Sequence, residues 1–178
     1  MTSFRVAGVG DAEQIALLHA DSWRRHYRGA FADAFLDGDI EVERRAVWAE
    51  RLAVPGHAET VLAEDDGGLV GFVHVMFDAD PQWGSLVDNL HVRNAQRGSG
   101  IGGRLLRQAA SAVGRRGASN AMYLWVLEQN AAAQGFYRAS GGEAVGTALA
   151  PPPGGDPSRL DGSPACLRIA WPDVAVLT

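Results

Sequence analysis

The stretch Leu90-His91-Val92-Arg93-Asn94-Ala95-Gln96-Arg97-Gly98-Ser99-Gly100-Ile101-Gly102-Gly103 decides the fold. Its first residues end an apolar segment, Ser85–Val92, that reads as a strand. Beyond the glycines, Leu105, Leu106 and Ala109 keep a helical period from Gly102 to Val113. Four of the six residues from Gly98 to Gly103 are glycine. A backbone without side chains can approach a ligand closely and aim N–H groups at it, and the helix that starts there adds its positive end. Together these features form an anion site, most often for phosphate. Gly98, Gly100 and Gly103 also match the dinucleotide fingerprint G-x-G-x-x-G, with Glu128 as its ribose acid. That fingerprint follows its strand at once, whereas five residues, Arg93 to Arg97, intervene here.

Working outward, Phe4–Val9 reads as a first strand, and Asp11 with Gln14 resembles a capping box that opens a helix to about Tyr27. An irregular aromatic segment, Gly29–Asp37, precedes a second helix from Asp39 to Leu52. Two strands, Thr60–Ala63 and Leu69–Phe77, flank the hairpin turn Asp65-Asp66-Gly67-Gly68. The near-continuous apolar run Ala121–Leu127 is a strand buried on both faces. A short helix, Ala131–Ser140, and two strands, Ala144–Leu149 and Cys166–Trp171, close the chain. This order predicts a single α/β domain over residues 1–178, with a mixed α+β sheet flanked by helices.

Composition narrows the chemistry. All 16 basic residues are arginine, so a Schiff-base lysine and a Walker A loop are excluded. Cys166 is the single cysteine, which excludes an intrachain disulfide and a cysteine-rich metal site. His19, His26, His57 and His74 lack ligand spacing, so no metal is expected. No apolar run reaches membrane-spanning length, and Met1–Gly10 lacks a secretory pattern; the expected compartment is the cytoplasm, with no membrane partner. The net charge of −5 argues against nucleic acid. It divides unevenly: residues 1–80 hold 15 acids against 7 arginines, residues 81–178 hold 6 acids against 9 arginines.

Leu90-His91-Val92, the short loop, and Arg97, Gly100 and Gly102 at their spacing resemble the signature of the GNAT acetyltransferase superfamily. Asn130-Ala131-Ala132-Ala133-Gln134-Gly135-Phe136-Tyr137 resembles its second motif. The likeness spans the chain except for about Pro151–Pro164. It implies a central, mostly antiparallel mixed sheet in which two parallel strands, Ser85–Val92 and Ala121–Leu127, splay apart around acetyl-CoA as co-substrate. By this resemblance the cofactor meets Leu90, His91 and Val92 on the strand, Arg97, Gly98, Ser99, Gly100, Ile101, Gly102 and Gly103 in the loop, and Asn130. Tyr137 falls where the family places the acid that protonates the leaving thiolate.

The resemblance implies transfer of an acetyl group to a primary amine on a small molecule or peptide, by direct attack, in a monomer or homodimer. Leu86 stands where many members carry a glutamate base, which leaves Asp88 as the substitute, followed by Glu128 and His91. The missing glutamate also keeps open a domain that binds acyl-CoA without transferring it. Trp23, Tyr27, Phe31 and Phe35 are expected to wall the acceptor side. Asp33, Asp37, Asp39, Glu41 and Glu43 are expected to draw a cationic amine there.

Overall fold

The computed structural model describes residues 1–178. Strand β1 (Ser3–Val6) leads to helix α1 (Ala12–His26), a single helical turn α2 (Asp33–Leu36) and helix α3 (Ile40–Ala53). Three strands follow, β2 (Ala58–Asp65), β3 (Gly68–Asp80) and β4 (Gly84–Val92). Helix α4 (Ile101–Arg116), β5 (Met122–Leu127), helix α5 (Ala131–Ala139), β6 (Glu143–Leu149) and β7 (Ala165–Trp171) complete the chain. The segment expected to be irregular before α3 contains α2. Asp11 does not cap α1: its carboxylate accepts the N–H of Gly8, the Gln14 amide and a bidentate pair from Arg5. Asp11 therefore pins strand β1 to the helix entry.

The seven strands form one sheet in the order β1-β2-β3-β4-β5-β7-β6. All neighbours are antiparallel except β4 and β5, which are parallel and pair only at Ser85–Met122 and Leu86–Tyr123. Gly84 makes that junction possible: its φ is +80°, and a Cβ there would lie 2.2 Å from the Ala121 carbonyl oxygen. Beyond the two rungs the strands separate. Only β4 and β5, joined through the glycine loop and α4, are parallel; the other five pairs are antiparallel, so this is not the doubly wound, mostly parallel sheet of a dinucleotide fold, and that reading is withdrawn.

Strand β4 bends as it leaves β5. Val75 pairs with Val87 and His74 with Asn89, so Asp88 is an extra residue, a β-bulge. One face of the sheet packs on α4, where Leu105, Leu106, Ala109 and Val113 meet Val73, Val75, Leu124 and Ile169 in the largest core cluster. The other face lies under α1 and α3, with Trp48 against Phe72 and a second cluster linking Trp23, Phe31 and Leu127. No helix is long and apolar enough to cross a membrane.

Candidate active site

The gap between β4 and β5 is a cleft of about 450 Å³. Its strand walls follow from hydrogen-bond alternation. The Arg93 N–H donates to Val70 O at 2.8 Å. In an antiparallel ladder the paired residues then alternate, so His91 and Asn89 bond to β3, while the backbone groups of Leu90 and Val92 face β5. No rung joins them to β5, so these groups open into the cleft. His91 departs from the expectation: its backbone belongs to β3, and only its ring reaches the cleft.

The glycine loop closes one end. Gly98 and Gly100 both have φ +81°, where side chains are strained, and a Cβ at either would meet open space. The first N–H to enter the α4 ladder is that of Arg104, to Gly100 O at 3.1 Å. The N–H groups of Ile101, Gly102 and Gly103 therefore have no helical acceptor and sit at the positive end of a sixteen-residue helix. Gly98, Gly100, Gly102 and Gly103 line the cleft, as does Arg97, whose Nη1 lies 3.3 Å from His26 Nε2.

Two loop residues differ from their expected part. Ser99 is exposed, and both its hydroxyl, at 2.5 Å, and its N–H donate to Gln96 O within the loop. The Ile101 side chain is a core residue, 4% exposed, so that only its backbone faces the loop.

From the other side, Asn130 caps α5, its Oδ1 accepting the Ala133 N–H at 3.1 Å. Its amide nitrogen is left for the cleft it lines. Tyr137, one face of α5 later, packs against Trp171 and lines the cleft as well. Burial raises its phenol above the usual value, so the group stays protonated. Burial and the nearby Cys166 and Asp88 likewise lift Tyr27 to about 12.

Cys166, distant in sequence, pairs with Leu127 in the sheet and is buried, with its thiol pushed up by burial. A protonated, buried thiol is a poor nucleophile. Asp88, at the bulge, is ion-paired with Arg51, its Oδ2 lying 2.9 Å from Nη1, and the same nitrogen donates to Asn89 Oδ1 at 2.9 Å. Glu128 is exposed and lies outside the cleft lining; its carbonyl accepts from Gln134. His91 is held at Nδ1 by the Ser22 hydroxyl, 2.7 Å away, and burial drops it to about 3. A neutral, sealed imidazole of that kind is a scaffold. Of the three substitutes for a base, Asp88 is the carboxylate in the cleft.

The acidic wall is largely neutralised. Asp33 and Asp37 pair with Arg28, Glu41 with Arg24, and Glu43 with Arg44 and Arg159. Of the five acids, Asp39 alone forms no ion pair, and Trp23 and Phe31 are core residues. Tyr27 is the one member of the aromatic group that lines the cleft.

The model of the acetyltransferase (GNAT) family matches residues 19–150. The chain belongs to the GNAT acetyltransferase family. An uncharacterised N-acetyltransferase, YuaI, of Bacillus subtilis (strain 168) is 30% identical over 149 residues, 82% of each chain. Among solved structures, the PaiA N-acetyltransferase of Thermoplasma acidophilum in complex with coenzyme A superposes with a TM-score of 0.74 at 18% identity, covering 96% of this chain and 99% of that one. YncA, described as a putative acetyltransferase of Salmonella typhimurium with acetyl-CoA, gives 0.68 at 16% identity, covering 97% and 94%. This GNAT chain brings its splayed strands, its glycine loop and Phe136-Tyr137 of α5 to one cleft.

Proposed function

We propose that this protein transfers an acetyl group from acetyl-CoA to a primary amine. The observation that carries the proposal is a row of unpartnered backbone N–H groups, at Gly98 and from Gly100 to Gly103, facing the mouth of a cleft whose strand walls also present free backbone groups. The loop takes the pyrophosphate, with Arg97 beside it. Leu90, Val92 and Asn130 hold the extended pantetheine arm as a β-strand would, through alternating donors and acceptors. The coenzyme in two structurally similar acetyltransferases is in keeping with this.

In the reaction the amine nitrogen attacks the thioester carbonyl, a C–N bond forms and the C–S bond breaks. Asp88, oriented by Arg51, takes the proton that the amine gives up. Tyr137 donates its proton to the sulfur as it leaves. Burial also disfavours a bare thiolate, so the proton passes to the sulfur as the C–S bond breaks. The phenolate left on Tyr137, which burial likewise disfavours, regains its proton from solvent before the next turnover.

A second reading, binding of acyl-CoA without transfer, is favoured by two observations: Leu86 occupies the glutamate position, and Asp88 is ion-paired. Free-thiol release from acetyl-CoA across a panel of amines separates the two.

The direct test of the site is Gly103→Glu. A Cβ there meets only Arg107 Nη1 at 3.9 Å, and an acid in the first helical turn is favourable to the helix. The fold is therefore retained with Tm unchanged or raised. A carboxylate about 4 Å from a phosphate costs about 4 kcal/mol at the dielectric of a protein surface. The Kd for coenzyme A, read by calorimetric titration, is expected to rise by at least ~100-fold. Undiminished binding in the folded variant overturns the placement of the coenzyme.

A further inference from the structure

Arg168 stands in the middle of an otherwise apolar strand, Cys166-Leu167-Arg168-Ile169-Ala170-Trp171. Its place on β7 opposite Trp125 puts it on the α1–α3 side of the sheet. The guanidinium carbon lies 4.5 Å from the ring centre of Trp125, 5.0 Å from that of Trp83 and 5.6 Å from that of Tyr123. A Cβ at Gly146 on β6 would lie 4.0 Å from its Nη1, so the glycine leaves that side of the guanidinium open. Within this aromatic frame Arg168 has no ion pair and no hydrogen bond to the protein, and its Nε is sealed from solvent without an acceptor. Asp80, whose carboxyl Arg168 helps to lower, forms no ion pair with it, and its Oδ1 accepts the N–H groups of Gln82 and Trp83. The chain's other partly buried arginines on this side differ. Arg44 is held by Glu43, Arg51 by Asp88, and Arg159 by Glu43 and Asp156.

A guanidinium presents planar, paired donors that match a carboxylate, and leaving them unmet in a half-buried setting is costly. Trp125 connects the two places: one side of it carries Arg168, and it also lines the cleft with Asp88. We infer that Arg168 anchors the acceptor, which is a primary amine that also bears a carboxylate, with an apolar or aromatic body against Trp83, Tyr123 and Trp125. The inference rests on the acetyl-transfer reading for its amine, although the carboxylate subsite exists independently of it. It reverses the expectation of a cationic acceptor drawn from the charge of the first half of the chain.

The test compares acceptors that differ only in the anion: phenylalanine, phenylalaninamide and phenethylamine, and other neutral amino acids beside their amides. By free-thiol release, kcat/KM is expected to be at least ~10-fold higher for each acid than for its amide, as suits a charge-assisted bidentate contact. Arg168→Met keeps the stem among the rings and removes the charge. It should raise KM for phenylalanine at least ~10-fold at nearly constant kcat and leave phenethylamine unaffected, with Arg168→Lys between the two.

A second measurement needs no turnover: 3-phenylpropionate, which has no amine, should perturb tryptophan emission in the wild-type protein and not in Arg168→Met. If coenzyme A fails to bind and no amine is acetylated, yet 3-phenylpropionate binds through Arg168, the subsite stands and the transfer reading falls. If amines are acetylated with acids and amides alike, or if Arg168→Met leaves KM for phenylalanine unchanged, the subsite is overturned. The wild-type comparison of acid with amide decides the matter even if Arg168→Met does not fold.

Discussion

On the α4 side of the sheet, 22 buried apolar residues pack together. On the α1–α3 side, the same depth of burial encloses His19, His74, His91 and Arg44. Each of these polar groups has a specific partner. Trp48 Nε1–H donates to His19 Nδ1 at 3.0 Å, Thr60 Oγ1 lies 2.8 Å from His74 Nδ1, Ser22 Oγ lies 2.7 Å from His91 Nδ1, and Arg44 stacks 4.3 Å over Trp23. The α4 side is held by shape and apolar area, which acid does not alter. The α1–α3 side is held by neutral imidazoles. An indole N–H can only donate, so the Trp48 bond requires an unprotonated Nδ1 on His19.

The largest expected effect follows from that difference. Burial holds His74 at about 4 and His91 at about 3, and His19 well below its ordinary value of 6.5. In the unfolded chain all three titrate near 6.5, so the unfolded state binds protons first as pH falls. Stability is therefore full above about pH 7, drops as pH passes below 6.5, and stops falling through these groups only where the folded histidines themselves titrate, near 4 and below. Three protons taken up on unfolding give a slope of about 4 kcal/mol per pH unit around pH 5. Urea midpoints at pH 7, 6 and 5 measure it. Equal midpoints at pH 7 and 5 would show that the histidines are not neutral and buried as described.

A truncation on the other face sharpens the comparison. Leu105 is fully buried where α4 meets β3. Leu105→Ala should cost about 2–5 kcal/mol by loss of apolar contact and creation of a cavity. Because the buried histidines lie on the other face, and the one imidazole near this cluster, His57 against Phe77, is exposed, the cost should be the same at pH 7 and pH 6. A cost that grows with acid would mean that the two faces are coupled, and the division drawn between them would fail.

Legibility in the sequence divides along the same line. The α4 face could be read because Leu105, Leu106 and Ala109 recur at helical spacing and Met122–Leu127 is continuously apolar, and neither signal depends on a partner elsewhere. The glycine loop could be read because φ +81° at Gly98 and Gly100 and a helix start after them are local facts. The bulge at Asp88 was hidden, since a bulge is a relation between β4 and β3. So was the neutralisation of the acids, for the Arg24–Glu41 pair is set by how α1 packs on α3 and the pairs of Arg28 with Asp33 and Asp37 by how the chain folds back between α1 and α2. Asp11 offered a helix cap and was taken by Arg5 on another element. Arg168 did leave a trace, a lone charge inside an apolar strand. Its meaning depended on Trp83 and Trp125, which converge on it only in the folded sheet.

The smallest effect concerns the border between the two regions, where Tyr137 belongs to the α4-side cluster and also lines the cleft. If it serves only to fill the dry core, Tyr137→Phe keeps the ring and changes little. If its hydroxyl gives a proton to the departing sulfur, the same substitution removes a general acid, whose contribution is typically at least ~100-fold; water in the opened space can replace part of it. We expect kcat to fall at least ~10-fold, about 1.4 kcal/mol in the barrier, with the Kd for coenzyme A within about twofold of the wild type. The upward shift of the phenol by burial adds a second signature. Tyr137 stays protonated past the ordinary tyrosine value, so the wild-type rate should show no loss from this group as pH rises to about 10. Equal kcat in Tyr137→Phe and wild type, measured with the best acceptor, would assign Tyr137 to packing and leave the thiolate to be protonated by solvent.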